Sequence, residues 1–177
     1  MLETLISSKT RIKLLLKFFL NSNMTSYLRS LESEFGDSTN AIRLELNRLE
    51  KAGMLRSFLK GNKKMFKANT QHPLFNEVHS ILLKHIGIDR LIDGVVTRLG
   101  EVENVYLSGQ FARGIDSPII DIIVVGNIDK EYLIRLIERI EPVINRKVRY
   151  LCYRTEEFTD TLLQSFEPNP VLLWAKD

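Results

Sequence analysis

Asp121, at the head of the apolar run Ile122-Ile123-Val124-Val125, is the first residue here whose type and setting suggest chemistry. Two carboxylates one residue apart on a strand project to the same face and can hold paired divalent cations that clamp a phosphate for in-line attack. In this sequence the position two residues earlier is Ile119, and an alkyl side chain offers no oxygen to a hard cation. Just upstream, Gly109-Gln110-Phe111-Ala112-Arg113-Gly114 reads as a glycine-bounded turn carrying one cation, followed by Ser117. Asp116 lies in the loop between them, where a preorganised metal site is not expected. His72, His79 and His85 never fall at i, i+4, and the single cysteine, Cys152, has none of the company a zinc site needs. The residues alone therefore predict no metal site and no catalytic constellation.

The elements that must position these groups follow from apolar periodicity. A helix over Ile88–Leu99, a strand over Asn104–Leu107, the glycine turn, a strand over Ile119–Val125, a helix over Lys130–Ile140, a strand over Lys147–Tyr153 and a helix over Glu156–Phe166 make a small α/β unit. A last apolar segment, Val171 to Trp174, follows Pro168-Asn169-Pro170.

The first half has a different grammar. Ile12, Leu15, Leu16 and Phe19 recur at helical spacing up to the polar break Asn21-Ser22-Asn23, and a second amphipathic helix runs from Ser26 to a stop at Gly36. Ser38 offers an N-cap for a third helix, Thr39 to Ala52, which turns Ile42, Leu46 and Leu49 inward and ends before Gly53. Strand-like runs Met54–Leu59 and Lys63–Ala68 flank Lys60-Gly61-Asn62, a hairpin signal. A capped helix start at residues 71–75 then leads into a connecting helix with Val78, Ile81, Leu82 and Ile86 on one side.

Charge separates the two halves. Net charge is +3 over 177 residues, but residues 1–86 hold 14 Lys and Arg against 7 Asp and Glu, and the remainder 11 against 15. A basic module joined to a mildly acidic one suits a polyanionic partner for the first half. The N-terminus lacks the basic-then-apolar order of a secretory signal, and no apolar run approaches the ~20 residues that span a bilayer. A soluble cytoplasmic protein is expected, with Cys152 a small apolar strand residue in a reducing compartment.

The order helix, helix, turn, helix, hairpin resembles the ArsR-like winged-helix DNA-binding domains. The residues that carry the likeness are Ser8-Lys9-Thr10-Arg11-Ile12, the run from Leu46 to Leu55, and Gly61-Asn62. The second half resembles a minimal nucleotidyltransferase domain of the polymerase-β superfamily. Gly109, Arg113 and Gly114 match its glycine turn, and Asp121 matches the second acid. Gln110 stands where a serine is expected, Ile119 replaces the first acid, and the third strand offers Arg149 and Leu151 in place of the last acid.

Together these resemblances imply an α+β chain: residues 1–70 a winged helix-turn-helix, residues 71–87 a connecting helix, residues 88–177 a degenerate nucleotidyltransferase-like domain with a mixed sheet. The implied function is a sequence-specific DNA-binding transcriptional regulator that binds double-stranded DNA as a homodimer, without catalysis, cofactor or membrane contact. Thr39, Asn40, Arg43 and Asn47 would face the bases, because Arg suits guanine and Asn suits adenine, and Lys60, Asn62, Lys63 and Lys64 would meet phosphate from the wing. Gly109, Gln110, Arg113 and Asp121 would line a pocket for a nucleotide or other small effector, or only brace the turn. Two alternatives stand beside this reading. One is an active nucleotidyltransferase acting on a protein or small molecule; the other is a partner-binding module of the toxin–antitoxin kind.

Overall fold

The computed structural model describes residues 2–176, except the side chain of Thr97. It divides into two compact units, with the boundary between His85 and Ile86. The architecture is mixed α+β.

In the first unit a short helix α1 (Leu2–Leu5) precedes α2 (Lys9–Leu15). Ser8 caps α2 by accepting the Arg11 N–H at 3.2 Å. The helix continues as a π-helical turn over Leu16–Leu20. Widening the helix shifts its side-chain phase, and the run Leu14 to Leu20 is enclosed on all sides, none of it more than 7% exposed. The expected single apolar face of Ile12, Leu15, Leu16 and Phe19 was therefore incomplete. Lys17 is drawn in with its neighbours and pairs with Glu34 at 2.8 Å.

Ser26 and Tyr27, expected as the start of a helix, instead form a short strand β1 (Ser26–Tyr27). Their backbone pairs with Phe66 and Met65 of the hairpin, a long-range bond that outweighs local propensity. Helix α3 (Leu28–Phe35) starts after it and ends at Gly36, whose φ of 67° is left-handed and open to glycine at low cost. Asp37 then accepts from Thr10 and Lys13, both at 2.8 Å, which ties the turn to α2. Ser38 caps α4 (Thr39–Lys51) through the Ala41 N–H at 3.2 Å. Strands β2 (Leu55–Lys60) and β3 (Lys63–Ala68) close the hairpin and complete an antiparallel sheet of order β1-β3-β2.

Helix α5 (Phe75–Ile86), within the connecting segment expected over residues 71–87, lies in the first unit up to His85, and its last residue falls in the second. Phe75 stacks on Phe19 at 5.5 Å between ring centres, and His79 Nδ1 donates to the Phe19 carbonyl at 2.7 Å.

The second unit contains α6 (Ile88–Arg98), β4 (Gly100–Ser108), α7 (Gly109–Ala112), β5 (Ile119–Ile128), α8 (Lys130–Ile144), β6 (Lys147–Tyr153), α9 (Asp160–Ser165) and β7 (Val171–Ala175). The sheet order is β6-β5-β4-β7, with β5 and β6 parallel and the other pairs antiparallel, hence a mixed sheet. Helix α8 is the crossover that a parallel pair requires. Ile120, Ile122, Val124 and Val148 are buried in the core.

Several element boundaries moved: β4 begins at Gly100 rather than Asn104, β5 runs on to Ile128, and two helices changed as well. Helix α8 runs past Pro142 to Ile144 rather than stopping at Ile140. The helix expected over Glu156–Phe166 is shorter because Glu157 and Phe158 donate backbone N–H groups to the Arg154 carbonyl and make a turn. Phe158 thereby packs against Tyr106 and Tyr153, at 5.2 and 5.4 Å, and Thr159 caps the shortened α9.

Candidate functional site

The outward side of α4 is set by what its inward side buries. Ile42, Leu46 and Leu49 are 5% exposed or less, which leaves Asn40, Arg43 and Asn47 exposed on the other side and Thr39 half-buried at the helix start. Glu45 was not anticipated as an inward residue. It is buried and held by Arg11 Nε at 2.8 Å and Arg48 Nη1 at 3.0 Å. Burial pushes its carboxyl up, but hydrogen bonds from Arg11 and Ser8 and the charges of Arg11 and Arg48 outweigh that and hold it below the usual glutamate value. No local pattern marks Glu45; only the i, i+3 spacing to Arg48 hints at it.

Between α4 and the hairpin lies an open groove of about 550 Å³ whose lining includes Arg29, Arg43, Asn47, Asn62, Lys63 and Lys64. Thr39, Asn40 and Lys60 are not among its lining residues. The lysines differ in how they are held. Lys63 Nζ lies over the Tyr27 ring at 4.3 Å. Lys64 Nζ pairs with Glu50 at 2.7 Å, and Glu50 also accepts from the Ser57 hydroxyl. Those hydrogen bonds, with the Lys64 charge, hold the Glu50 carboxyl low. Lys60 is exposed at the end of β2. Arg56 of β2 donates to Gln71 at 2.9 Å.

In the second unit the strands bring Ser108, Asp121 and Arg149 into one row, since Ser108 is the partner of Asp121 on β4 and Arg149 its partner on β6. Arg149 Nε donates to Asp121 Oδ1 at 2.7 Å, so the carboxylate meets a fixed guanidinium. Asp121 in turn strengthens the protonation of Arg149. Ile119 is the partner of Lys147, so the strand position two residues before Asp121 presents an alkyl group beside a second cation. Gly109 has φ of 63°, and a Cβ there would approach Asp121 Cγ to 2.8 Å, so only glycine fits below this carboxylate.

These residues border an open pocket of about 640 Å³ that Gly109, Asp121 and Arg149 help to line. Gln110 and Arg113 are not among its lining residues. Arg113 instead reaches the Glu167 carbonyl at 3.4 Å. Asp116, the loop carboxylate, pairs with Arg146 at 2.9 Å. Of the four residues expected around one pocket, the structure thus gathers two and adds Arg149. Among the described residues no group of three His, Cys, Asp or Glu side chains is placed to hold a metal ion. Cys152 lies half-buried on β6, and burial pushes its thiol up, against the opposing charge of Lys130. No helix is long and apolar enough to cross a membrane among the described residues.

No protein-family model matches the chain, and no curated protein does. Among solved structures, two mutants of the toxin–antitoxin MntA-HpeT match at 17% and 16% identity. They cover 51% and 50% of this chain and 74% and 73% of their own, with TM-scores of 0.37 and 0.39. A protein from Shewanella oneidensis matches at 17% identity over 51% of this chain and 72% of its own, with a TM-score of 0.35. Likeness at this level assigns neither an activity nor a partner.

Proposed function

We propose that the chain is a sequence-specific DNA-binding transcriptional regulator. Its first unit acts as an ArsR-like winged helix, with α4 as the reading helix and the β2–β3 hairpin as the wing. Its second unit is a nucleotidyltransferase-like domain without catalysis that senses a small effector or mediates association. The observation that carries the reading is the outward face of α4, where Asn40, Arg43 and Asn47 stand exposed beside a groove shared with the hairpin lysines. Residues near the start of such a helix reach base edges while flanking cations and amides hold phosphates. The excess of basic residues in the first half supplies the sequence-independent attraction.

Absence of catalysis is argued from Asp121. A carboxylate already matched by Arg149 at 2.7 Å, with Ile119 on the neighbouring position of the same face, offers no cage for two divalent cations. The site acts instead as a braced, partly open pocket with one cation and one anion at its rim. An effector, if bound there, meets Gly109 and Arg149 rather than a metal.

The test is duplex binding by the full chain, using fragments of the source genome at low salt. Submicromolar affinity that falls steeply with salt supports the reading; no retained fragment retires it. In parallel, Mg²⁺ titration against nucleotide labelling tests the enzymatic alternative, which requires labelling that Asp121→Asn abolishes.

A partner-binding module of the toxin–antitoxin kind is the second reading. What favours it on this chain is a row of apolar side chains across the sheet, Leu151, Ile123, Tyr106 and Leu172, whose two outer members are 47% and 52% exposed. Such a row on both outer strands suits a protein surface more than a nucleic acid. Co-purification of a stoichiometric protein that Leu151→Asp and Leu172→Asp release would favour it.

A further inference from the structure

The outward face of α4 contains one residue that DNA binding through polar groups leaves unused. Asn40, Leu44, Asn47 and Lys51 follow one another at i, i+4, i+7 and i+11, so they form one stripe along the helix. All four are exposed, and Leu44 is 49% exposed. A lone exposed leucine needs no explanation in general. This one sits in the middle of the polar stripe, with an amide side chain one turn to either side, Arg43 and Arg48 on the flanks and Lys51 beyond. Arg48 is tied down by Glu45 at 3.0 Å, which fixes one rim of the stripe.

Three surfaces could cover Leu44: the core, a protein or a base edge. The core is excluded by its exposure and by Ile42, Leu46 and Leu49 filling the inward side. A protein partner would leave the carboxamides of Asn40 and Asn47 and the surrounding cations to be desolvated for the sake of one alkyl group, which is costly. The major groove offers all the required partners in the required places. Adenine presents N7 and N6 to a carboxamide, thymine presents a C5-methyl to an alkyl group, and phosphates border both. Along the axis Leu44 lies about 6 Å from Asn40 and about 4.5 Å from Asn47, at 1.5 Å per residue. Those offsets are one to two base-pair steps of about 3.4 Å.

We propose that Leu44 is a base-reading residue that packs on the C5-methyl of a thymine, flanked by adenines read by Asn40 and Asn47, so that the target is an A·T-rich major-groove element. This rests on the DNA-binding reading above. The same methyl chemistry is carried by 5-methylcytosine; the carboxamides on either side favour an adenine–thymine context.

The experiment starts by selecting duplexes from a random library with the full chain. Each thymine of the recovered site is then replaced in turn by deoxyuridine, which lacks only the methyl. The wild-type chain should lose about fourfold in affinity at one such position, the worth of one buried methyl-sized group, and Leu44→Ala should show no further loss there. Leu44 is half-exposed, so the alanine variant should melt with the wild type. Recovered sites whose uracil series leaves wild-type affinity unchanged at every position would overturn the inference while leaving DNA binding intact. Sites bound only when their cytosines are methylated would overturn the thymine assignment. Failure to recover any duplex at low salt would remove the DNA-binding reading and this inference together.

Discussion

On α4 and its hairpin, Arg43 and Lys60 hold no ion pair among the described residues, whereas in the second unit Asp121 is matched by Arg149 at 2.7 Å. The first unit thus keeps two cations facing water, Arg43 at the groove and Lys60 at the end of β2, and the second neutralises Asp121 internally. Charge left unmatched on a folded surface is available to a partner; charge matched within the fold mainly fixes geometry. Within the first unit the same division recurs. Glu45 holds Arg11 and Arg48, and Glu50 holds Lys64, so these cations are partly spent on structure.

The comparison can be broken most forcefully from beneath α4. Leu46 is 1% exposed, and Leu46→Ala should cost about 2–5 kcal/mol, as large-to-small core changes do. Urea unfolding should show the loss, and duplex binding should fall with it. Undiminished binding by that variant would remove α4 as the reading element.

Next come the cations. Arg43→Ala should weaken specific binding by roughly 1–3 kcal/mol, the worth of a bidentate base contact. Arg48→Ala should weaken it less, because Arg48 is already occupied by Glu45. Equal losses, measured by fluorescence anisotropy on one selected duplex, would erase the distinction between matched and unmatched charge.

In the second unit the largest effect belongs to Gly109. A Cβ there meets both a left-handed backbone and the Asp121 carboxyl, so Gly109→Ala should cost about 1–3 kcal/mol. Trp174, the single tryptophan and a residue of β7, reports that unfolding by fluorescence. A neutral outcome would mean that the Asp121–Arg149 brace does not depend on the glycine turn.

Smaller still is the salt dependence. Lys60→Ala and Lys63→Ala should each lower the slope of log affinity against log salt by about 0.9 if each neutralises one phosphate. Lys64→Ala should lower it less, since Glu50 competes for that ammonium. A Lys64 effect as large as the other two would show that DNA displaces Glu50.

The mildest expected change is with acid. In Asp37, burial raises the carboxyl and the Lys13 and Thr10 bonds more than reverse it; in Glu45 and Glu50 the balance is also downward. Each folded value lies below the unfolded one, so the stability they contribute is present above the usual carboxylate range and is lost as pH falls through the folded values. In the second unit the Lys147 and Val148 hydrogen bonds lower Glu141 in the same sense. Circular dichroism of the whole chain should therefore begin to fall below about pH 4.5 before Trp174 fluorescence responds. A coincident loss would place the acid-sensitive pairs equally in both units.

Much of this was legible before folding. Ser38 as a cap, the inward residues of α4, the hairpin around Gly61-Asn62 and the strand over Lys147–Tyr153 all follow from local chemistry or from the helical and strand periods. So did the alkyl group at Ile119 and the outward placement of Asn40, Arg43 and Asn47. Other features left no local trace. Tyr27 reads as helix until β3 is there to bond it, and nothing in the local pattern marks Lys17 as a buried partner of Glu34. The pocket residues Gln110 and Arg113 were grouped by sequence neighbourhood, which a turn does not preserve in space.

The sequence by itself determined where α4 begins, which side of it is apolar, and that an acid is missing two residues before Asp121, because each of these depends on residues within a turn or two of one another. Only the tertiary structure decided that Glu45 is buried between two arginines and that Asp121 is matched by a residue 28 positions away. Ion pairs of that separation depend on strand register and helix packing, which come from burying the whole core and are written in no single segment.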